Sequence, residues 1–222
     1  MTTHKKIKPK ERFQVRRFPL SWGRIIKTLW IIIFSLVLIW SGIQPKDQFT
    51  WLLEVSPAII GAGIMAHTYN SFRLTTLLYV LILVHCIVLM IGGHYTYAEV
   101  PFFEGLLGAE RNNYDKVGHF FQGFVPALIA REVLIRKQVV NGQYWLIVVI
   151  LSITLAFSAF YELIEWWVAL ASGEDAEAFL GTQGYVWDTQ SDMGLALLGA
   201  ILSVLLLAKY HDKQLNKVSN LE

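Results

Sequence analysis

Residues 187–208 read WDTQSDMGLALLGAILSVLLLA, and this stretch decides the class of fold. Asp188 and Asp192 stand four residues apart at its start, so in a helix they share one face. The run from Leu195 to Ala208 that follows contains no charged residue. A carboxylate beside such a run is costly to bury unless it is paired with a cation or hydrogen-bond donor or belongs to a functional site. We therefore interpret the stretch as the polar entrance to a membrane-spanning helix.

The composition of the whole chain also indicates a membrane protein. The chain has 222 residues, of which 55% are hydrophobic and 16% are charged, whereas a soluble domain has about 25% charged residues. The single cysteine, Cys86, excludes an intramolecular disulfide, and its place in an apolar run predicts a buried small hydrophobe. A basic segment precedes residue 25. This basic segment could bind nucleic acid, but a cytoplasmic tail is the better interpretation because an apolar run follows it directly.

Six apolar runs are long enough to cross a membrane as helices, since a span needs about 20 mostly apolar residues. Membrane strands would be about 9–11 residues long and would alternate in polarity, which these runs do not. The predicted fold is therefore all-α, a bundle of six transmembrane helices. The predicted spans are approximately 25–43, 50–66, 74–91, 117–134, 145–170 and 191–208.

These spans form one predicted transmembrane domain, residues 25–208, between two tails. Residues 1–24 are the basic N-terminal tail, and residues 209–222 are a short C-terminal tail. The last two residues, Leu221 and Glu222, resemble a cloning remnant and carry no functional interpretation.

The distribution of lysine and arginine predicts that both termini are cytoplasmic. Of the 19 Lys and Arg residues, all but Lys46, Arg111 and Lys116 lie in the two tails, in the second and fourth connections or at the span ends next to them. Positively charged connections remain in the cytoplasm. The loops 92–116 and 171–190 are therefore expected outside. Both are long, with glycines, aromatic residues and acids, and long loops are often functional.

Three polar pairs are predicted to lie at one depth in the outer leaflet. One opens the fourth span, one lies in the outer third of the fifth, and one opens the sixth. Within each pair, a spacing of three or four residues puts both side chains on the same helix face. Ionisable residues inside a membrane are functional-site candidates by default. The pairs are Asp115 with His119, Glu162 with Glu165, and Asp188 with Asp192.

The residue types in these pairs suit a divalent cation. Carboxylates favour Mg, Ca or Mn, and the imidazole allows Zn or Fe. All six pair residues are therefore candidate metal ligands, and a divalent cation is the only cofactor that we expect. No signature of metalloproteases, esterases or P-loop enzymes accompanies them.

General acid–base catalysis and a proton or cation relay are alternative uses of the same groups. The candidate catalytic residues are Asp115, His119, Glu162 and Asp192. Polar and aromatic residues next to the pairs are candidate substrate-binding residues. They are Lys116, Gln122, Trp187 and Gln190.

Each pair also has a purely structural explanation. Asp115 and Asp188 would cap their helices, favoured by the helix dipole. Asp192 lies inside the first turns of its helix, where capping fails. His119 alone would be an ordinary hydrogen-bonded interior histidine, and the glutamate pair would be surface charges if the fifth helix ended early.

Several other polar residues rank lower. Glu54, near the outer end of the second span, and His85, in the third span, are candidates to join the cluster. Arg131 and Glu132 are interpreted as an ion pair at the inner interface. His211 is placed in the C-terminal tail, without a functional signal.

Three motifs resemble the YjdF-type family of bacterial inner-membrane proteins, a family of unknown function. They are residues 115–120 (DKVGHF), 161–166 (YELIEW) and 187–194 (WDTQSDMG). More distantly, the chain is similar to the VanZ-like proteins, which are linked to teicoplanin resistance. The VanZ pattern has Gln in place of Glu165 and Asn after its paired acids, where this chain has Ala196 or nearby residues. The resemblance implies a bacterial inner-membrane location and a shared polar site, not a reaction.

Three functions are compatible with the sequence. The first is an envelope-facing membrane enzyme or binding protein that acts on a lipid or small envelope molecule at a metal-assisted site. The second is a structural or partner protein whose polar layer holds helices together. The third is a proton or cation transporter. The expected partners are the lipid bilayer and such an envelope molecule, not nucleic acid, and neither an enzymatic activity nor an oligomeric state is predicted.

Overall fold

The computed structural model describes residues 20–103, 112–172 and 187–218, and the regular structure in these ranges is helical. The prediction of an all-α fold with six helices is therefore confirmed. Most of the basic tail, the central parts of the two predicted outer loops and the Leu221-Glu222 remnant lie outside the described residues. The helices are α1 Leu20–Gly42, α2 Gln48–Thr68, α3 Thr76–His94, α4 Tyr114–Arg136, α5 Gln143–Ser172 and α6 Asp188–Val218.

Five of these helices, α1, α2, α3, α5 and α6, are long and apolar enough to cross a membrane. The fourth, α4, does not join them because charged and polar residues interrupt it towards both ends. His119, Gln122, Arg131 and Glu132 on α4 are all buried by neighbouring helices. By contrast, α1 is largely covered by exposed apolar side chains, such as the 63% exposed Leu36. Thus α4 is a central helix whose polar groups face protein.

Alternating helix directions give the bundle two ends. The carboxylate end contains the α1–α2 connection, the ends of α3 and α5 and the starts of α4 and α6, and the basic end contains the α2–α3 and α4–α5 connections. At the carboxylate end, the Lys46 amide donates to the His94 carbonyl oxygen at 3.0 Å. Asp47 caps α2 by accepting a hydrogen bond from the Thr50 amide, and this bond lowers the pKa of the Asp47 carboxyl. These two hydrogen bonds fix the α1–α2 connection against the end of α3 and at the start of α2.

Two glycines allow a close backbone contact between α4 and α6, the helix pair with the most extensive contact. A Cβ atom on Gly123 would lie 1.7 Å from the Ala196 carbonyl oxygen. A Cβ atom on Gly199 would lie 2.2 Å from the Phe120 carbonyl oxygen. Both distances are far inside van der Waals contact, so a side chain at either position would separate the helices. Small residues serve in this way at helix interfaces in membranes, where packing drives association.

A buried carboxylate joins three helices at the basic end. Glu132 on α4 is fully buried and accepts hydrogen bonds from the Thr75 hydroxyl at 2.8 Å and from His211 at 2.9 Å. It also pairs with Arg136 at 2.9 Å. Arg131 can only donate, and it contacts Nδ1 of His211 at 3.1 Å, so the His211 proton lies on Nε2, facing Glu132. Arg131 and Glu132 thus contact opposite nitrogens of His211 and have charged partners of their own, Asp212 and Arg136, instead of the ion pair with each other that the sequence predicted.

The last helix continues beyond the predicted end of the sixth span at Ala208 and reaches Val218. His211 and Leu215 are both buried and stand one turn apart, so the packed face of α6 persists where the hydropathy falls. The prediction that His211 lies in a tail without a role is wrong. Residues 209–218 are helical, and His211 is part of the basic-end network.

Gly123→Ala is expected to destabilise the bundle by roughly 1–3 kcal/mol, the usual cost of overpacking. The added methyl group would meet the backbone of α6, which cannot move aside as a flexible side chain can. Gly61→Ala on α2 is the matched control, because nothing lies within 4 Å of a Cβ atom there. That control should leave the stability unchanged or raise it slightly, since alanine is the better helix former. Thermal unfolding in detergent measures both variants, and equal midpoints would contradict a tight α4–α6 contact.

Candidate functional site

The α4–α6 contact brings two of the predicted polar pairs together at the carboxylate end. Gly123 meets Ala196, and His119 and Asp192 each stand four residues before one of these contact residues. Four residues are about one helical turn, and both helices begin at the carboxylate end. His119 and Asp192 therefore occupy equivalent positions one turn above the contact, on facing helices.

His119 is the centre of the resulting cluster. Its Nε2 atom lies 3.3 Å from Asp115 Oδ1 and 3.9 Å from Asp192 Oδ2. Its Nδ1 atom lies 3.2 Å from Gln122 Oε1 and 3.7 Å from Glu162 Oε1. Groups from α4, α5 and α6 thus surround one imidazole ring.

Gln122 determines which nitrogen of His119 is available to a ligand. When Gln122 Oε1 accepts a hydrogen bond from Nδ1, the ring proton lies on that atom. The other ring nitrogen, Nε2, faces Asp115 and Asp192. A metal-binding histidine usually donates its other N–H to a carbonyl or carboxylate oxygen, as His119 does here. Gln122, predicted as a substrate-binding residue, is thus placed as a positioning residue for His119.

Two oxygens of this buried cluster have no hydrogen-bond donor. The exposed fractions of His119, Asp192 and Glu162 are 5%, 4% and 9%. Within the described part of the chain, Glu162 Oε1 and Asp192 Oδ1 have no hydrogen-bond partner. An unsatisfied buried polar atom costs about 1–3 kcal/mol, and more when it is charged. Either a bound cation or an ordered water would satisfy these oxygens.

Three of the six predicted ligands form a compact set. One potential ligand atom from each of Asp115, His119 and Asp192 lies within 4.8 Å of the other two. Carboxylate oxygens and an imidazole nitrogen are ligands that Mn, Fe and Zn all accept. Three protein ligands leave coordination positions open for water or substrate, as in catalytic metal sites.

The other three predicted ligands lie around this set. Glu162 faces the opposite nitrogen of His119, with its Oε1 atom 3.7 Å from Nδ1. Glu165 is half-buried on α5 and lies within electrostatic reach of His119. Asp188 is buried at the first residue of α6, within electrostatic reach of Glu162. These acids add negative charge to the site without belonging to the compact set.

The remaining predicted substrate-binding residues lie at the same end of the bundle. Trp187 is 65% exposed just before α6, and Gln190 is exposed in the first turn of that helix. Lys116 is half-buried in the first turn of α4. Their role in substrate binding stays a prediction.

A further carboxylate reaches the cluster from α2. Glu54 is buried and accepts a hydrogen bond from the Tyr161 hydroxyl at 3.3 Å, and the buried Tyr97 lies within electrostatic reach of it. Sequence reasoning ranked Glu54 low and missed both tyrosines. Tyr161 stands one turn before Glu165 on the same face of α5, which is a signal that could have identified it. His85, the other lower-ranked candidate for the cluster, instead stacks on the ring of Phe121 in α4.

Tyr97 occupies a space that two glycines leave open. A Cβ atom on Gly92 would lie 2.3 Å from the Tyr97 ring, and one on Gly118 would lie 2.9 Å from it. Tyr97 itself has a φ angle of 57°, a left-handed conformation that disfavours residues with a side chain. This local strain is maintained beside the cluster, as is common at functional sites. Nothing in the sequence of the α3–α4 connection indicated that Tyr97 would occupy this position.

Comparison with known proteins identifies the family. The family model described as "Predicted membrane protein (DUF2238)" matches residues 26–213, most of the chain. The chain belongs to this family. It is 53% identical over 186 residues to the inner membrane protein YjdF of Escherichia coli (strain K12), a match that covers 82% of this chain and 89% of that protein. No solved structure matches the chain.

The family assignment confirms the predicted resemblance to YjdF-type proteins. The more distant resemblance to VanZ-like proteins stays a prediction.

Asp192→Asn is expected to raise the stability of the metal-free protein by on the order of 1 kcal/mol, because it removes one of several crowded negative charges. Asp212→Asn is the matched control on the same helix. Asp212 is half-exposed and pairs with Arg131 at 2.6 Å, so its loss should lower the stability slightly. Thermal unfolding after treatment with a chelator measures both. A loss of several kcal/mol in Asp192→Asn would instead identify the cluster as a structural polar layer.

Proposed function

We propose that this protein binds a divalent cation through Asp115, His119 and Asp192 and presents it to a lipid or small envelope molecule. The observation that carries the proposal is the compact set of ligand atoms, all within 4.8 Å of one another. The contact of His119 Nδ1 with Gln122 supports it, because the other nitrogen, Nε2, faces both aspartates.

The donor set favours Mn²⁺, Zn²⁺ or Fe²⁺. Calcium takes about 6–8 oxygen ligands, which two aspartates and a histidine do not supply. Imidazole nitrogen with carboxylate oxygen suits the transition metals, and three ligands leave positions open. Glu162 lies outside the compact set, 3.7 Å from the other His119 nitrogen, and is buried. It is therefore the group that we assign as a general base in any reaction at this site.

We place the carboxylate end outside the cytoplasm, in the inner membrane of a bacterium. The Lys and Arg residues concentrate towards the basic end, and positively charged connections stay in the cytoplasm. The relative in Escherichia coli is an inner membrane protein by name. Because α3 ends at the carboxylate end and α5 begins at the basic end, the helix between them must cross the bundle. This connectivity supports α4 as the sixth transmembrane helix, and together with the charge distribution it supports our proposal that both termini are cytoplasmic.

A lipid or amphipathic envelope molecule is the proposed ligand because of the surface around the site. Trp166 and Trp167 on α5 are about half exposed, and Trp187 before α6 is 65% exposed. Tryptophan is enriched at the headgroup level of membranes, so these residues support a position of the cluster near the headgroups. A headgroup with anionic oxygens could then reach the open positions of a bound cation.

The test is direct measurement of metal binding. Purified protein should bind a single equivalent of Mn²⁺ or Zn²⁺ in isothermal titration calorimetry. Gln122→Leu should weaken binding about 10–100-fold by releasing His119 from its orientation. Asp192→Asn removes a ligand and should weaken it more, while Asp212→Asn on the same helix should not change it.

Absence of binding by Mg²⁺, Mn²⁺, Fe²⁺ and Zn²⁺ to the unaltered protein would overturn the cation proposal. Equal affinities of Asp192→Asn and Asp212→Asn would move the cation to another site and would overturn it as well.

A proton or cation transporter is the second candidate function, and one observation favours it. Ser158 on α5 and Ser203 on α6 are fully buried, and within the described ranges neither hydroxyl has a hydrogen-bond partner. Both stand near the middle of their helices, between the carboxylate cluster and the Glu132–His211 network. Polar groups are therefore not confined to the two ends of the bundle.

If the protein is a transporter, Ser158→Ala and Ser203→Ala should slow proton or cation flux into proteoliposomes without changing the metal affinity. The control is Ser56→Ala on α2, whose hydroxyl already donates to the Leu53 carbonyl oxygen. No flux by the unaltered protein, for protons or for divalent cations, would exclude the transporter.

A further inference from the structure

A cavity opens at the basic end of the bundle, away from the carboxylate cluster. Its volume is about 300 Å³, and it lies between the early turns of α1, the last turns of α2 and the start of α3. It shares no residue with the candidate cation set. The cavity is therefore a separate structural feature, independent of the proposed cation site.

Two cations and no carboxylate line this cavity. Lys27 Nζ lies 4.4 Å from the centroid of the Tyr69 ring, and the guanidinium carbon of Arg73 lies 5.3 Å from the same centroid. Among the described residues, neither cation pairs with a carboxylate. Two positive charges held on one aromatic ring without an acidic partner favour the binding of an anion.

The rest of the wall is apolar and continues into the outer surface of the bundle. Ile26, Ile31 and Met65 line the cavity. Ile31 is 49% exposed and belongs to the segment of α1 that is apolar enough to cross a membrane. A small hydrophilic anion would leave this apolar wall uncovered, whereas an anionic lipid would contact both the cations and the wall.

The aromatic part of the cavity wall is fixed in place. Trp30 Nε1 donates to the Tyr79 carbonyl oxygen at 2.9 Å, which joins α1 to α3. The Trp30 ring also stacks on Phe34, with centroids 5.0 Å apart. Because the walls are held by these contacts, a ligand can enter a preformed space with little ordering of side chains.

We infer that this cavity binds an anionic phospholipid of the leaflet at the basic end. The phosphate lies between Lys27 and Arg73, and an acyl chain follows Ile31 and Met65. Basic pockets between transmembrane helices are a known means of recognising anionic headgroups. The occupant is a lipid of the surrounding bilayer because the apolar wall is continuous with the membrane-facing surface of α1.

Native mass spectrometry of the full-length protein in detergent tests this site with phosphatidylglycerol and with phosphatidylcholine of the same chain length. The protein should retain phosphatidylglycerol preferentially. Lys27→Gln and Arg73→Gln should each weaken its binding about five-fold and leave phosphatidylcholine binding unchanged. Lys137→Gln is the matched control, because Lys137 also lies at the basic end, 5.3 Å from the Phe72 ring centroid, but does not line the cavity.

Ala66→Leu tests the cavity without changing any charge. Ala66 lines the cavity from an exposed position, so the added atoms fill the space and do not disturb the core. It should weaken phosphatidylglycerol binding, and glycerol phosphate, the free headgroup, should not compete with the lipid. Equal retention of the two lipids would overturn the inference, and so would equal weakening by Lys137→Gln. Competition by glycerol phosphate together with unchanged binding in Ala66→Leu would assign the cavity to a soluble anion and overturn the lipid.

Discussion

The backbone contact between α4 and α6 is the constraint on which the other features of the bundle depend. Gly123 and Gly199 bring the two helices close enough for their backbones to touch, and this contact fixes their register. At one end the register places Asp192 opposite His119, and at the other it places His211 against Glu132. A slip of α6 by one turn is about 5.4 Å, more than any contact in either cluster could absorb.

The two polar clusters on this helix pair differ in how fully they are satisfied. Glu132 has donors from α3, α4 and α6, so its burial is compensated by hydrogen bonds and opposite charge. At the carboxylate end, Glu162 and Asp192 are buried with one oxygen each lacking a donor. A fold that satisfies one buried acid so completely can satisfy another. This difference between the two clusters supports the proposal of a ligand at the carboxylate end.

The sequence allowed the helices and the polar pairs to be predicted, because hydropathy and a spacing of four residues are local properties. Asp115, His119 and Asp192 followed from that spacing together with the alternation of helices. The basic-end network was missed because hydropathy marks the end of a span at Lys209 and takes no account of burial by other helices. Tyr97 was missed for a similar reason, since its position depends on Gly92 and Gly118. Gly118 is distant from Tyr97 in the chain, and Gly92 carries no local signal that predicts the contact.

The two ends of the molecule are connected through a short and fully described path. Thr75 begins α3 between two residues that line the cavity, Leu74 and Thr76, and its hydroxyl and amide both donate to Glu132. Glu132 lies on α4, the same helix that carries Asp115 and His119. A shift at the start of α3 would therefore act first on the hydrogen bonds between Thr75 and Glu132. Pro126 lies inside α4 between Glu132 and His119 and removes one backbone hydrogen bond there, so the helix that joins the two clusters has its most deformable point between them.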